Sequence, residues 1–295
     1  MRTMATDPSA RGLLDDTAVI ALGTETLILT HDMMAEDVHW LPTADAADVA
    51  WKLVSANLSD LAAKGAQPLG MLLGFMLGDD KWDRRFAEGL QAALAHYGVP
   101  LLGGDTVSNR SDKRTLGMTA IGAASFTPVP ARSGAQPGDV LYVTGTLGDA
   151  LAGFEMAEAG LEGASALMAA YHRPVARLTE GQALAPLVTA MMDVSDGLLL
   201  DAERMATASK LAITIDLANI PLSAPYRQQR GDSLDSRLQA SSWGDDYQLL
   251  FTAPADLQPP VAATAVGQVT AGSGLSLTDD GTPVPLPTSL GYQHR

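Results

Sequence analysis

"FTPVPARSGAQPGDVLYVTG", Phe126 to Gly145, divides the chain. Up to Asp139 it is rich in Pro, Gly and Ser and has no helical period, the composition of a domain boundary. At Val140 a β-prone run restarts regular structure, and a helix is expected from about Asp149. The reading is two domains, residues 1–130 and 131–295.

On the N-terminal side, Thr17–Leu22 and Thr26–Thr30 are short β-prone runs around "GTE", a hairpin signal. "DVAWKLVSANLSDLAA", Asp48 to Ala63, has apolar residues at helical spacing and stops at Lys64-Gly65. "LGMLLGFML", Leu69 to Leu77, reads as a buried strand. Trp82 to Tyr97 reads as an amphipathic helix closed by Gly98. "VPLLGGD" reads as a strand entering a glycine turn, and "RTLGMTAIGAAS" as another strand. On the C-terminal side, helices are expected to about Ala190, then strands in "LAITIDL", "YQLLFTA" and "AVGQVT". Strands alternating with helices in both halves predict an α/β (α+β) chain.

Bulk composition narrows the function. The chain has 295 residues, 46% hydrophobic, and a formal charge of −15, a surface that repels nucleic acid and anionic membrane. There is no apolar run of membrane-spanning length. The opening "MRTMATDPSARG" reads as neither a signal peptide nor a transit segment, so a cytoplasmic protein is expected. With no cysteine, disulfides, thiolate metal sites and cysteine nucleophiles are excluded. No H-x-x-x-H pair suggests zinc.

Aspartates recur at the ends of expected elements. Asp15-Asp16 precede a strand, Asp32 follows one, and Asp60 lies on a helix. Asp105 sits in "GGD", Asp193 and Asp196 in "DVSDG", and Asp245-Asp246 before "YQLLF". Either Ser195 or Asp196 caps a helix, or the carboxylates converge on one rim. Two carboxylates about 5 Å apart repel by roughly 3 kcal/mol at an effective dielectric near 20, so a convergent set requires protons or cations. Hard oxygen donors favour Mg²⁺, which prefers one or two carboxylates plus substrate phosphates. The P-loop and G-x-G-x-x-G signatures are absent. "VTGTLGDALAG" offers N–H groups at a helix start. Arg132 either clamps a phosphate or is solvated. Asp201 and Glu203, further along their helix, read as solvated.

"DDTAVI", "THDMMAEDVHW", "SANLSDLAAKGAQP", "GGDT", "ARSGAQPGDVLYVTGTLGDALAG", "MDVSDGLLLDAERMA" and "WGDDYQLLFT" together resemble the thiamine-monophosphate kinases, in order and over nearly the whole chain. The resemblance implies a PurM-like two-domain fold and a homodimer pairing through N-terminal domains. It implies Mg²⁺-dependent transfer of the ATP γ-phosphate to thiamine monophosphate. On this chain it implies Asp16, Asp32, Asp60, Asp105, Asp193 and Asp196 as magnesium ligands, with Thr30 and His31 at further ligand positions. Asp32, Asp60 and Asp196 form the implied catalytic set. Gly104, Asp105, Arg132 and Ser195 are implied ATP contacts, and His39, Asp245 and Tyr292 substrate contacts. His31 stands where relatives commonly carry Thr or Ser, and "WGDD" where "GGED" is commoner. Selenophosphate synthetase and a hydrogenase maturation factor share the superfamily but work through cysteine. Aminoimidazole ribonucleotide synthetase and a non-catalytic nucleotide-binding relative are the alternatives.

Overall fold

The computed structural model describes residues 3–108, 113–161 and 165–293. Met1 and Arg2 of the opening stretch, and 162–164 within the expected run of helices, lie outside these.

The first half builds one sheet. The expected hairpin forms: β1 (Ala18–Leu22) pairs antiparallel with β2 (Glu25–Ala35) from Leu22↔Glu25 to Ala18↔Leu29. Helix α1 (Ala46–Ala62) leads into β3 (Ala66–Leu77), α2 (Asp80–Tyr97) into β4 (Leu101–Ser108), and β5 (Thr115–Ala124) completes the sheet in the order β1-β2-β5-β3-β4. Asp45 caps α1 by accepting the Ala47 N–H at 2.9 Å, and Gly98 closes α2 in the left-handed region.

Two expectations fail here. β3 is not buried throughout: Leu69, Leu72 and Leu77 are exposed, because helices cover only one face of this sheet. "GGD" is not a turn, since β4 runs straight through it as an exposed edge strand. A Cβ on Gly104 would stand 1.9 Å from the Leu73 carbonyl, so glycine there permits the close approach to β3.

The second half forms a seven-stranded sheet, β12-β11-β8-β10-β6-β9-β7. Its chain order is β6 (Val140–Thr144), α3 (Asp149–Glu158), α4 (Ala166–His172), α5 (Leu178–Leu184), β7 (Ala190–Val194) and α6 (Leu198–Ser209). Then follow β8 (Ala212–Asp216), α7 (Ala224–Arg230), α8 (Leu234–Ser242), β9 (Gln248–Ala253), β10 (Ala263–Thr270), β11 (Gly274–Asp279) and β12 (Thr282–Val284). The sequence reading missed β11 and β12. Among the described residues, no helix is long and apolar enough to cross a membrane.

Helix α1 joins the halves. Leu53, Leu58 and Leu61 are fully buried, each contributing about 1.5–3 kcal/mol. Ala62 and Ala63, at its end, pack in a cluster with Leu184, Met191, Leu249 and Phe251 of the second half. A helix covered on all sides carries any polar side chain inward as well. Lys52, Ser55, Asn57, Ser59 and Asp60 are all buried.

Candidate active site

The two halves enclose a cavity of about 740 Å³. Asp16, Asp32, Asp60, Asp193 and Asp196 line it, from just before β1, from β2, from α1, and from β7 and the loop after it. One carboxylate oxygen from each of Asp16, Asp60 and Asp193 lies within 4.8 Å of the other two. Thr30 donates to Asp60, and Ser59 donates to Asp193 Oδ2 at 2.7 Å.

Burial and mutual repulsion set the electrostatics. Burial, then the charges of Asp32, Asp193 and Asp16, holds the Asp60 carboxyl well above the usual range. Asp193 is pushed up to about 8 by burial and by Asp16, against the Ser59 hydrogen bond. Asp32 is also raised, by burial and by Asp16. Asp15 goes the other way: although burial opposes it, Lys64 and Arg11 hold it at about 2.

Not every carboxylate is partnerless, as the sequence suggested. Lys64 read as the end of a helix, yet it is fully buried and reaches Asp15 at 2.6 Å and Asp16 at 2.5 Å. The contact with Asp16 Oδ2 is an ion pair without hydrogen-bond geometry, so that oxygen still lacks a donor. Arg132 Nε donates to Asp16 Oδ1 at 2.8 Å. Arg204 pairs with Asp196 at 2.5 Å and Asp201 at 2.8 Å. Asp60 and Asp193 are left with hydroxyl donors alone among the described hydrogen bonds and ion pairs. This donor set is all oxygen, anionic and buried, which fits Mg²⁺ far better than a softer metal.

Part of the cavity lining is aromatic. Phe154 lies 5.1 Å from Trp243 and 5.6 Å from Tyr171, centre to centre. His39, Asp245 and Tyr292 line the cavity as well. The Ala35 N–H donates to His39 Nδ1 at 3.0 Å, so a neutral ring carries its proton on Nε2. Gly244 brings the Asp245 loop against β7: a Cβ there would meet the Ser195 carbonyl at 2.2 Å.

Residues 14–124 match the AIR synthase related protein N-terminal domain, and residues 136–280 match its C-terminal domain. The thiamine-monophosphate kinase of Escherichia coli (strain K12) is 37% identical over 311 residues, covering 96% of this chain and 91% of that protein. That of Caulobacter vibrioides is 36% identical over 306 residues, covering 98% and 86%. The chain belongs to the thiamine-monophosphate kinase family. A solved structure, AaThiL complexed with AMPPCP and TMP, matches with a TM-score of 0.85 at 32% identity, covering 95% of this chain and 91% of that one.

Against the site expected from the family resemblance, the cavity gathers Asp16, Asp32, Asp60, Asp193, Asp196, Arg132, Ser195, His39, Asp245 and Tyr292. Thr30 joins through its bond to Asp60. His31 is not brought in. Side chains alternate along β2, so His31 points to the opposite face from Thr30 and Asp32, where it is exposed and bonds Thr119 at 2.9 Å. Gly104 and Asp105 lie on β4, three strands from β2, roughly 14 Å across the sheet, and do not line this cavity.

The DVSDG segment needs two corrections. Val194 ends a strand as expected, but neither Ser195 nor Asp196 caps the helix, which starts after Gly197 with no side-chain cap. Asp201 is not solvated: it is fully buried, while Glu203 is partly exposed. Asp201 Oδ2 accepts the N–H groups of Ser195 at 3.2 Å and Asp196 at 3.1 Å, holding the loop from below. Burial pushes its carboxyl up to about 7 despite Arg204. At the start of α3, Asp246 accepts two N–H groups, from Gly148 at 2.9 Å and from Ala150 at 3.5 Å. Sequence reasoning missed Lys64, Arg204 and Tyr247, which lines the cavity and donates its hydroxyl to Asp245 Oδ1 at 3.1 Å. The one available signal was a lysine or arginine following an aspartate by three or four positions (Asp60-Lys64, Asp201-Arg204), which reads equally as a surface helix pair.

Proposed function

We propose that this chain transfers the γ-phosphate of ATP to thiamine monophosphate, releasing ADP and thiamine diphosphate. The observation that carries the reading is the single cavity that joins a buried carboxylate cluster to an aromatic, His39- and Asp245-lined end. AaThiL, complexed with AMPPCP and TMP, has the same fold, which supports ATP and thiamine monophosphate as the substrates here.

An oxygen of the acceptor phosphate attacks the γ-phosphorus in line. The bond from that phosphorus to the β–γ bridging oxygen breaks, and ADP carries the electron pair away. Positioning and charge neutralisation supply most of the rate in such a transfer. Mg²⁺, when bound, would neutralise charge on the phosphates, and Asp16, Asp32, Asp60, Asp193 and Asp196 would hold it. Arg132, already engaged with Asp16, would turn its remaining donors to ATP phosphate, beside Ser195. His39 would donate Nε2–H to the acceptor phosphate; it orients the nucleophile and is not phosphorylated. Asp245 and Tyr292 would contact the acceptor's ring system.

The proposal keeps residues 1–130 and 131–295 as the two PurM-like units, and includes a homodimer. Leu101, Leu102 and Val107 are exposed along the β4 edge, an open edge that invites pairing with a second copy. Gly104 and Asp105 would then serve a cavity completed by the partner. A cytoplasmic location fits a chain that consumes ATP.

A coupled ADP-release assay tests the reading. ADP should appear only with both thiamine monophosphate and Mg²⁺; release indifferent to the acceptor would refute it. Incubation with γ-labelled ATP should leave no acid-labile label on the protein, and a stable phosphohistidine would overturn direct transfer.

A further inference from the structure

Lys52 has no role in the chemistry above. It lies within α1 and is 3% exposed. A buried ammonium requires partners for its charge and its donors. Nζ donates to Asp245 Oδ2 at 2.6 Å and to the His39 carbonyl at 3.1 Å. It also lies 4.3 Å from the centre of the Tyr171 ring, within cation–π range. His39 and Asp245 line the cavity from different halves of the chain, whereas Lys52 does not line it. Asp245 is held in the left-handed region, φ 67°. Its other carboxylate oxygen accepts from the Tyr247 hydroxyl at 3.1 Å, and its N–H donates to the Ser195 carbonyl at 2.9 Å.

We propose that Lys52 is a positioning residue for the acceptor. It ties the His39 segment to the Asp245 carboxylate and so fixes the width of the acceptor end, touching neither substrate. This deepens the kinase reading and rests on it. A lysine suits the task because one compact cation with three donors can bind a carboxylate and a backbone carbonyl from different elements at once. The phosphate end has separate anchors, Lys64 on Asp15 and Asp16 and Arg204 on Asp196. Loss of Lys52 therefore loosens the Asp245–His39 tie directly, while Lys64 and Arg204 keep their own carboxylate partners.

The test compares wild type with Lys52→Met, Lys52→Arg, Asp245→Asn and the double variant Lys52→Met/Asp245→Asn. Both KM values are read by ADP release, and thiamine monophosphate is titrated calorimetrically without ATP. Lys52→Met should raise the acceptor KM and Kd about tenfold or more and leave the ATP KM within about threefold. Lys52→Arg should recover part of the loss, because a guanidinium can keep the carboxylate pair. The double variant should be no worse than Asp245→Asn alone, since the two residues act through one contact. An unchanged acceptor KM, an equal rise in both KM values, or losses that multiply in the double variant would each overturn the proposal. If Lys52→Met fails to fold, Lys52→Arg decides: a raised acceptor KM beside an unchanged ATP KM supports the proposal, and wild-type values for both overturn it. A wild type that releases no ADP in response to thiamine monophosphate sinks the kinase reading itself; an active wild type indifferent to Lys52 sinks only this inference.

Discussion

Replacing Asp193 with Asn should make the metal-free protein more stable and the enzyme inactive. Asp193 is 2% exposed, and its carboxylate oxygen lies within 4.8 Å of those of Asp16 and Asp60. Each charge pair at that distance repels by about 3.5 kcal/mol at an effective dielectric near 20. The Asn side chain keeps an acceptor for the Ser59 hydroxyl, and its amide N–H groups lie beside the carboxylate oxygens of Asp16 and Asp60. The folded-state pKa of about 8 against an ordinary 3.8 means that the folded protein binds a proton that the unfolded chain has lost. Wild-type stability therefore falls as pH rises from about 4 to about 8, with a slope of up to about 1.4 kcal/mol per pH unit. For 295 residues the unfolding entropy is near 0.6 kcal/mol per degree, so the slope is about 2 °C per pH unit. Asp193→Asn removes this residue's share of the slope, while Asp60, Asp32 and Asp201, whose carboxyls are also raised, keep theirs. Thermal unfolding in EDTA should show the variant equal to wild type near pH 4 and several degrees higher at pH 8. Saturating Mg²⁺, at about a hundred times its Kd, should raise the wild-type Tm by about 4 °C at pH 8 and leave the variant unmoved. Turnover should fall at least about a hundredfold. A variant less stable than wild type at pH 8 without metal, or one keeping the full Mg²⁺ shift, would refute the claim that repulsion awaiting a cation dominates this site.

Asp201→Asn should cost about 1–3 kcal/mol, because one carboxylate oxygen accepts from Arg204 and the other from the N–H groups of Ser195 and Asp196, and an Asn NH2 must face donors on one of those sides; an unchanged denaturant midpoint would show the residue to be idle. His31→Thr should alter Mg²⁺ affinity by less than about twofold, since the ring faces away from the cluster; calorimetry showing a tenfold change would contradict that geometry. Leu102→Asp/Val107→Asp should convert a dimer to a monomer in light scattering while each chain stays folded, because both side chains stand exposed on β4. Scattering that never shows a wild-type dimer, or a dimer unmoved by the pair of charges, would remove β4 as the interface.

By itself the sequence determined the alternation of strands and helices and the recurrence of aspartates at the ends of elements. Local rules suffice there, because periodicity and turn residues act over a few residues. Only the tertiary structure decided which charges meet. His31 and Asp32 are neighbours in sequence, yet the two-residue alternation of β2 sends one to solvent and the other into the cavity. Asp201 looked like a surface residue of a helix and became the buried acceptor that supports Ser195 and Asp196. Lys52 and Lys64 looked like ordinary helix lysines. Packing of both halves around α1 buried them, and a buried cation must find its carboxylate through space, from Asp245 in one case and from Asp15 and Asp16 in the other.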